Sequence, residues 1–179
     1  IVNKQTISSP PHDYNSTFQY TDVIAGIDTI RIFNIHLQSL KFTTENLKYL
    51  DNPGTNSDAA LSESKNIISK LKKGFIKRSL QSGRVREEMD KSPYPVIVCG
   101  DFNDVPNSYA YCKIGDGLQN AFVEKGFGFG RTFSGISPTL RIDNIFAEKS
   151  FTIQQFKRIP KKLSDQFPII ADISLHMNK

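Results

Sequence analysis

The alternation of apolar and polar residues predicts a β-hairpin near the start of the chain. Residues 18–24 and 29–36 both alternate, and a turn-like Gly26-Ile27-Asp28 separates them. Successive side chains of a strand point to opposite faces, so every second residue of the second strand shares one face. That face begins apolar and ends polar, in the order Ile30, Ile32, Asn34 and His36.

A long helix and a buried strand are predicted next. The turn-forming residues 51–58 end in a helix N-cap at Ser57 or Asp58, and apolar residues at helical spacing continue to about residue 90. This spacing predicts one long helix or a broken pair. Prolines follow it, and the unbroken apolar run 95–100 is typical of a central, fully buried strand.

The remaining pattern completes a mixed arrangement of strands and helices. It predicts a short helix over 107–115, a glycine-rich loop over 126–130 and strands over 141–146, 151–156 and 169–175. No repeat, linker or low-complexity tract divides the chain. Strands that flank helices therefore indicate a single α/β domain.

Composition narrows the class of protein. The 179 residues, 38% hydrophobic and 23% charged, can fill one core and exclude disorder, collagen and coiled coil. No apolar run reaches the roughly 20 residues that cross a bilayer, so no transmembrane segment is predicted. Cys99 and Cys112 are too few for a disulfide framework or a four-thiolate zinc site. The net charge of +5 favours a phosphate-bearing partner.

Polar residues follow or interrupt several predicted strands. Each has an ordinary explanation, since a histidine on a strand is usually structural and an aspartate at a strand end usually caps a helix or shapes a turn. Together they favour one site, because carboxylates and an imidazole suit a hard divalent cation such as Mg²⁺, Mn²⁺ or Ca²⁺. Such a site supports metal-assisted attack of water on a phosphate ester. The residues are His36, Asp101, Asn103, Asp143 and Asp165.

Four motifs in this order resemble the endonuclease/exonuclease/phosphatase family, which includes DNase I-like nucleases, inositol polyphosphate phosphatases and neutral sphingomyelinases. The motifs are Asn34–Leu37, Gly100–Pro106, Arg141–Phe146 and Ser164–Pro168. The resemblance extends from about residue 18 to the end. It implies a four-layer α/β/β/α sandwich with the active site at one end of two packed sheets.

The resemblance also implies a role for each residue of the candidate site. His36 would hold the substrate phosphate and stabilise its developing charge. Asp101 would orient or deprotonate the attacking water, and Asn103 would position phosphate and water. Asp165 would be a metal ligand or the neighbour of one. Asp143 would orient the catalytic imidazole that follows Asp165 in the family.

Further residues are candidates for substrate contacts or for a solvated surface. Asn34, Lys161 and Lys162 are predicted to bind the substrate, because the two lysines lie in the loop that leads to Asp165. Four aromatic residues suit base stacking, although packing in the core would explain the two phenylalanines equally well: Tyr109, Tyr111, Phe127 and Phe129. The basic residues between 63 and 91, Arg78 among them, are interpreted as a solvated helix face away from the active site.

The chain departs from the family pattern in two ways. Ser164-Asp165-Gln166 stands where the family has Ser-Asp-His, and an amide cannot act as general acid or base near neutral pH. The expected loss in rate is about 10²–10⁴-fold. The family's first strands, with an Asn and the principal metal-binding Glu, have no counterpart in residues 1–17.

These departures lead to two alternative functions. We expect a divalent-metal-dependent phosphoesterase, using Mg²⁺ or Mn²⁺ or else Ca²⁺, on phosphodiesters of the nucleic-acid, phospholipid or inositol phosphate kind. The alternative is a catalytically impaired member that binds phosphorylated ligands or a protein partner, because Gln166 replaces the histidine. Residues 1–179 are interpreted as one incomplete domain, in which residues 1–17 are a loop or strand remnant and residues 18–179 bear the motifs. The expected partner of this chain is the missing N-terminal segment of the same domain.

Overall fold

The computed structural model describes residues 1–7, 16–40, 42–51, 58–135 and 139–175. Ser57, one of the two N-cap candidates, lies outside them. The elements in chain order are β1 (Asn3–Ile7), β2 (Thr17–Ala25), β3 (Asp28–His36), α1 (Thr44–Asp51), α2 (Asp58–Asp90), β4 (Val96–Asp101), α3 (Tyr109–Gly115), β5 (Gln119–Asn120), α4 (Ala121–Lys125), β6 (Asp143–Ala147), β7 (Phe151–Arg158) and β8 (Ile169–Leu175).

A six-stranded sheet in the order β1-β2-β3-β4-β6-β5 forms the centre of the fold. The predicted hairpin is β2 and β3, and the predicted buried strand is β4. Only β3 and β4 run parallel among the pairs of this sheet, so their carboxyl ends meet at the same edge and His36 lies opposite Asp101. β6 runs antiparallel to β4, which places Asp143 opposite Asp101 at that edge.

The core lies between this sheet and the helices α2 and α3. Alternate strand residues such as Phe33 and Val98 are buried there, and Val85 of α2 and Ile114 of α3 pack against them. α2 is a single helix of 33 residues, which decides between one long helix and a broken pair. No helix among the described residues is long and apolar enough to cross a membrane.

A second sheet of two strands, β7 and β8, lies beside the first, and β8 contacts β6. The α/β class and the two sheets confirm the predicted fold class. Three elements have no counterpart in the predicted pattern: α1, β5 and α4. β1 pairs with β2, which makes residues 3–7 a strand. The division of the chain at residue 17 stays a prediction.

Gly100 permits the close approach of β4 to β3 beside the candidate site. Its φ is +140°, and a Cβ built there would lie 1.9 Å from the carbonyl oxygen of Ile35. A backbone oxygen cannot move away without disturbing the ladder between the two strands. Any side chain at this position therefore shifts the strand that leads to Asp101.

Gly100→Ala is expected to lower the free energy of unfolding by about 2–5 kcal/mol, because backbone strain and overpacking add. Gly83→Ala is the matched control, since Gly83 lies inside α2 with nothing within 4 Å of its built Cβ. It should raise stability by about 0.5–1 kcal/mol, as alanine does in a helix. Urea denaturation measures the free energy of unfolding of both variants. Equal stability of Gly100→Ala and wild type would contradict the close approach.

Candidate active site

Three predicted site residues lie at the same edge of the central sheet. His36 ends β3, Asp101 ends β4 and Asp143 begins β6, and the strand registers place them side by side. The His36 Nε2 atom lies 3.7 Å from Oδ2 of Asp101. The imidazole is 43% exposed and the carboxylate 13% exposed, so the histidine faces the solvent side of the pair.

Asp101 is the most heavily hydrogen-bonded carboxylate of the site. The Gln166 amide donates to Oδ2 at 2.6 Å, and the backbone N–H of Asn103 donates to Oδ1 at 2.7 Å. Burial raises the pKa of Asp101, and the nearby charge of Asp165 raises it further. The two hydrogen bonds and His36 act in the opposite direction without cancelling the rise in pKa.

Asn103 occupies a tight turn directly after β4. Its φ of 47° lies in the left-handed region, which asparagine tolerates better than most residues. Its Nδ2 atom donates to the carbonyl of Leu37 at 3.0 Å, and the backbone N–H of Leu37 donates to the carbonyl of Asp101 at 2.9 Å. These bonds join the loop after β4 to the chain that follows His36.

Asp143 has one unpaired oxygen inside the protein. Oδ2 is buried and has no hydrogen-bond partner among the described residues. Burial raises the pKa of Asp143 to about 7, and the charges of Asp101 and Asp165 add to the rise, while a hydrogen bond with the Thr132 side chain opposes it. The resemblance places a catalytic imidazole against this carboxylate, and Gln166 instead donates to Asp101.

The segment that carries Asp165 and Gln166 is held by a short backbone pairing. Gln166 forms an isolated antiparallel bridge with Phe133. The N–H of Ser134 donates to the Asp165 carbonyl, and the N–H of Phe167 donates to the Thr132 carbonyl, both at 2.7 Å. This pairing leaves the side chain of Asp165 exposed at the mouth of the site.

The described residues do not complete a metal site. They contain no group of three or more His, Cys, Asp and Glu side chains placed to hold a metal ion. Asp165 offers an exposed carboxylate, whereas each oxygen of Asp101 already accepts one hydrogen bond. Ligands beyond these residues would be needed to hold Mg²⁺ or Mn²⁺.

A buried ion pair lies behind the site, and the sequence interpretation of Arg78 was wrong. Arg78 is 1% exposed, its Nε donates to Oδ2 of Asp104 at 2.9 Å, and its Nη1 donates to the Gln38 carbonyl at 3.1 Å. The helix face that carries Arg78 packs against the site and is not solvated. Spacing could have indicated this, because Arg78 lies seven residues from both Leu71 and Val85 on one face of the helix.

The structure does not bring every predicted substrate residue to this cluster. Asn34 is exposed on β3, opposite Cys99 of β4, and Lys161 and Lys162 are exposed in the loop before Asp165. None of the three lines the cavity that contains His36 and Asp101. Their roles as substrate contacts stay predictions.

Two of the aromatic candidates lie elsewhere on the surface. Phe127 is 99% exposed and Phe129 is 77% exposed. Both line a separate cavity of about 460 Å³, together with Lys157 and Arg158. Exposure excludes the core-packing explanation for these two residues.

The pKa of Asp143 predicts how stability depends on pH. Because folding raises this pKa from its ordinary value of 3.8 to about 7, the folded protein binds more protons than the unfolded chain between these values. Stability therefore falls as the pH rises through this window. Asp143→Asn should stabilise the protein by about 2 kcal/mol more at pH 8 than at pH 5, measured by urea denaturation. Asp116→Asn, at an exposed turn, is the control for removing a carboxylate elsewhere. If Asp143→Asn changed the free energy of unfolding equally at pH 5 and pH 8, the raised pKa of Asp143 would be contradicted.

The ion pair between Arg78 and Asp104 predicts a large loss of stability when one partner is removed. Asp104→Ala leaves a buried guanidinium without its carboxylate and should lower the free energy of unfolding by about 3–5 kcal/mol. Asp90→Ala is the matched control, because Asp90 pairs with Arg86 of the same helix at 2.8 Å but is exposed. Its loss should stay below about 1 kcal/mol. Equal losses in thermal or urea denaturation would show that burial adds nothing to the pair.

Solved structures share this fold at low sequence identity. The mannosyl-6-phosphatase of Bacteroides thetaiotaomicron matches with a TM-score of 0.54 and 17% identity, over 89% of this chain and 57% of its own. The human nocturnin catalytic domain with bound sulfate matches with a TM-score of 0.61 and 15% identity, over 97% of this chain and 59% of its own. D. rerio TDP2 complexed with single-strand DNA product matches with a TM-score of 0.65 and 16% identity, over 97% of this chain and 67% of its own. The chain thus spans less than two thirds of the phosphatase and of the nocturnin domain.

The family is identified by sequence rather than by fold alone. No curated protein matches the chain. A family model described as the Endonuclease/Exonuclease/phosphatase family matches residues 76–166, which is just over half of the chain. The matched range contains Asp101, Asn103, Asp143, Asp165 and Gln166. This chain belongs to the endonuclease/exonuclease/phosphatase family.

Proposed function

We propose that the protein hydrolyses phosphate esters, phosphodiesters in particular, at the sheet edge that carries His36, Asp101 and Gln166. Family membership supports phosphoester hydrolysis as the class of reaction. The observation that carries the assignment to this edge is the hydrogen-bonded Asp101 carboxylate, with the His36 imidazole 3.7 Å away. A buried carboxylate with a raised pKa is a suitable group to orient or deprotonate water.

Each neighbouring side chain would then act on the phosphate or on Asp101. His36 would donate a hydrogen bond to a phosphate oxygen, since its ring is exposed toward the cavity. Gln166 would orient Asp101 through one amide N–H and donate the second N–H to the phosphate. Asn103 would hold the turn in which water and phosphate bind. None of these roles depends on a metal ion.

Dependence on Mg²⁺ or Mn²⁺ is part of the proposal. Asp165 would supply one exposed carboxylate ligand, and the other ligands would come from outside the described residues. A bound cation would offset negative charge that develops on the phosphate. The DNA-bound relative makes nucleic acid one substrate to test.

A specific observation favours the alternative function, a binding module without turnover. Gln166 occupies the histidine position, and Asp143 retains a buried oxygen without a partner among the described residues. A site that lacks its acid–base imidazole can still bind phosphate through His36 and the Gln166 amide. The protein would then bind phosphorylated ligands or a protein partner.

Hydrolysis of bis(p-nitrophenyl) phosphate and of plasmid DNA by the full-length protein, with Mg²⁺ or Mn²⁺ and with EDTA, tests the proposal. Asp101→Asn should lower kcat by at least about 10²-fold, as loss of an acid–base group does. Asp116→Asn is the exposed control and should retain wild-type kcat.

Three results would decide against parts of this proposal. Turnover unaffected by Asp101→Asn would show that the reaction occurs elsewhere. Full turnover in EDTA would exclude metal dependence. An inert wild type with an active Gln166→His variant would overturn hydrolysis by this chain, because the variant only restores the imidazole.

A further inference from the structure

The candidate active site opens into a cavity of about 750 Å³ whose other walls are mostly apolar. This volume lies within the range of about 300–1,000 Å³ that small-molecule sites occupy, and it exceeds what a phosphate group fills. The site residues His36, Asp101, Asn103, Asp165 and Gln166 line one part of it. The apolar lining includes Ile67, Leu71, Phe75 and Val105.

The charges on the apolar side are already neutralised. Apart from the site residues, Arg78 and Asp104 are the charged side chains among the described residues that line the cavity, and they pair with each other at 2.9 Å. A nucleic-acid backbone needs several unpaired Lys or Arg side chains along its path. The described residues in this part of the cavity offer none, so they supply no ion pair to a second phosphate.

The apolar side chains are also left partly in water. Phe75 is 47% exposed and Val105 is 42% exposed, although both face the cavity. Covering them with an apolar group releases free energy, whereas a hydroxylated or charged group would lose hydration without gaining partners. The cavity therefore distinguishes between ester groups by their polarity.

We infer that the phosphate esters bound at this site carry a large apolar substituent, alkyl or aryl, which occupies the cavity between α2 and the loops after β3 and β4. This inference rests on the proposed function for the phosphate position and adds the class of substrate. The helix supplies Ile67, Leu71 and Phe75 to the wall, and the loop after β4 supplies Val105. The phosphate lies at His36 and Gln166, and the substituent extends away from them.

Kinetics on a matched series of esters tests the inference. The substrates are methyl, octyl, phenyl and thymidin-5′-yl esters of methyl phosphate, hydrolysed by the full-length protein with Mg²⁺ or Mn²⁺ and followed by chromatography of the products, so that the tested group is the only large substituent. We expect kcat/KM for the octyl or the phenyl ester to exceed that for the methyl ester by at least about tenfold, mostly through KM. If kcat/KM is higher for the octyl ester than for the phenyl ester, the preferred substituent is an alkyl chain. The reverse order identifies an aryl group as the preferred substituent.

Variants of the cavity wall locate the preference. Phe75→Gln and Val105→Gln change partly exposed side chains of the cavity wall and should reduce the preference several-fold. Leu80→Gln is the matched control, because Leu80 lies on the same helix, is 67% exposed and does not line the cavity. A preference that survives both cavity variants, equal turnover of the four esters, or preference for the thymidinyl ester would each overturn the inference.

A binding measurement separates this inference from the proposed function. Octyl phosphate and methyl phosphate are titrated into the wild type and Phe75→Gln by calorimetry. If the protein hydrolyses no ester but binds octyl phosphate at least about tenfold more tightly than methyl phosphate, the proposed turnover fails and the inference stands. Equal affinity for the two phosphates, or no binding of either, overturns the inference.

Discussion

The buried ion pair between Arg78 and Asp104 is the contact on which the geometry of the site depends. It joins the middle of α2 to the loop after β4, one residue beyond Asn103. The same guanidinium holds the Gln38 carbonyl, two residues beyond His36. The two loops that carry the polar cluster are therefore fixed to one helix. Parallel pairing of β3 and β4 aligns His36 with Asp101, and this ion pair keeps the chain after each strand in place.

The two neighbouring carboxylates at the sheet edge differ in their hydrogen bonding. Asp101 receives two hydrogen bonds, whereas Asp143 keeps a buried oxygen without a partner among the described residues. Gln166 is the residue responsible, because its amide donates to Asp101. The Gln166 amide thus supplies a donor to Asp101 and, unlike an imidazolium, brings no positive charge to Asp143.

Local sequence patterns predicted the sheet edge well because it depends on strand periodicity. Alternation in residues 29–36 and the apolar run before Asp101 indicated β3 and β4, and the parallel pairing of these strands brings their polar ends together. Residues 44–51 and 119–125 were not predicted, since short helices and a two-residue strand have too little periodicity. The burial of Arg78 depends on Asp104 and Gln38, 26 and 40 residues away in the chain, and the local pattern was interpreted without them.

The helix α2 is long enough for different residues to line the cavity and to pack in the core. At 33 residues it is about 50 Å long, more than the sheet needs for cover. Ile67, Leu71 and Phe75, near the middle of the helix, line the cavity, and Val85 and Met89, toward its end, pack in the core. Phe75 is 47% exposed, so a substitution there can change the shape of the cavity while the core around Val85 and Met89 is preserved. In evolutionary terms, the cavity wall can vary at this position at little cost to folding stability.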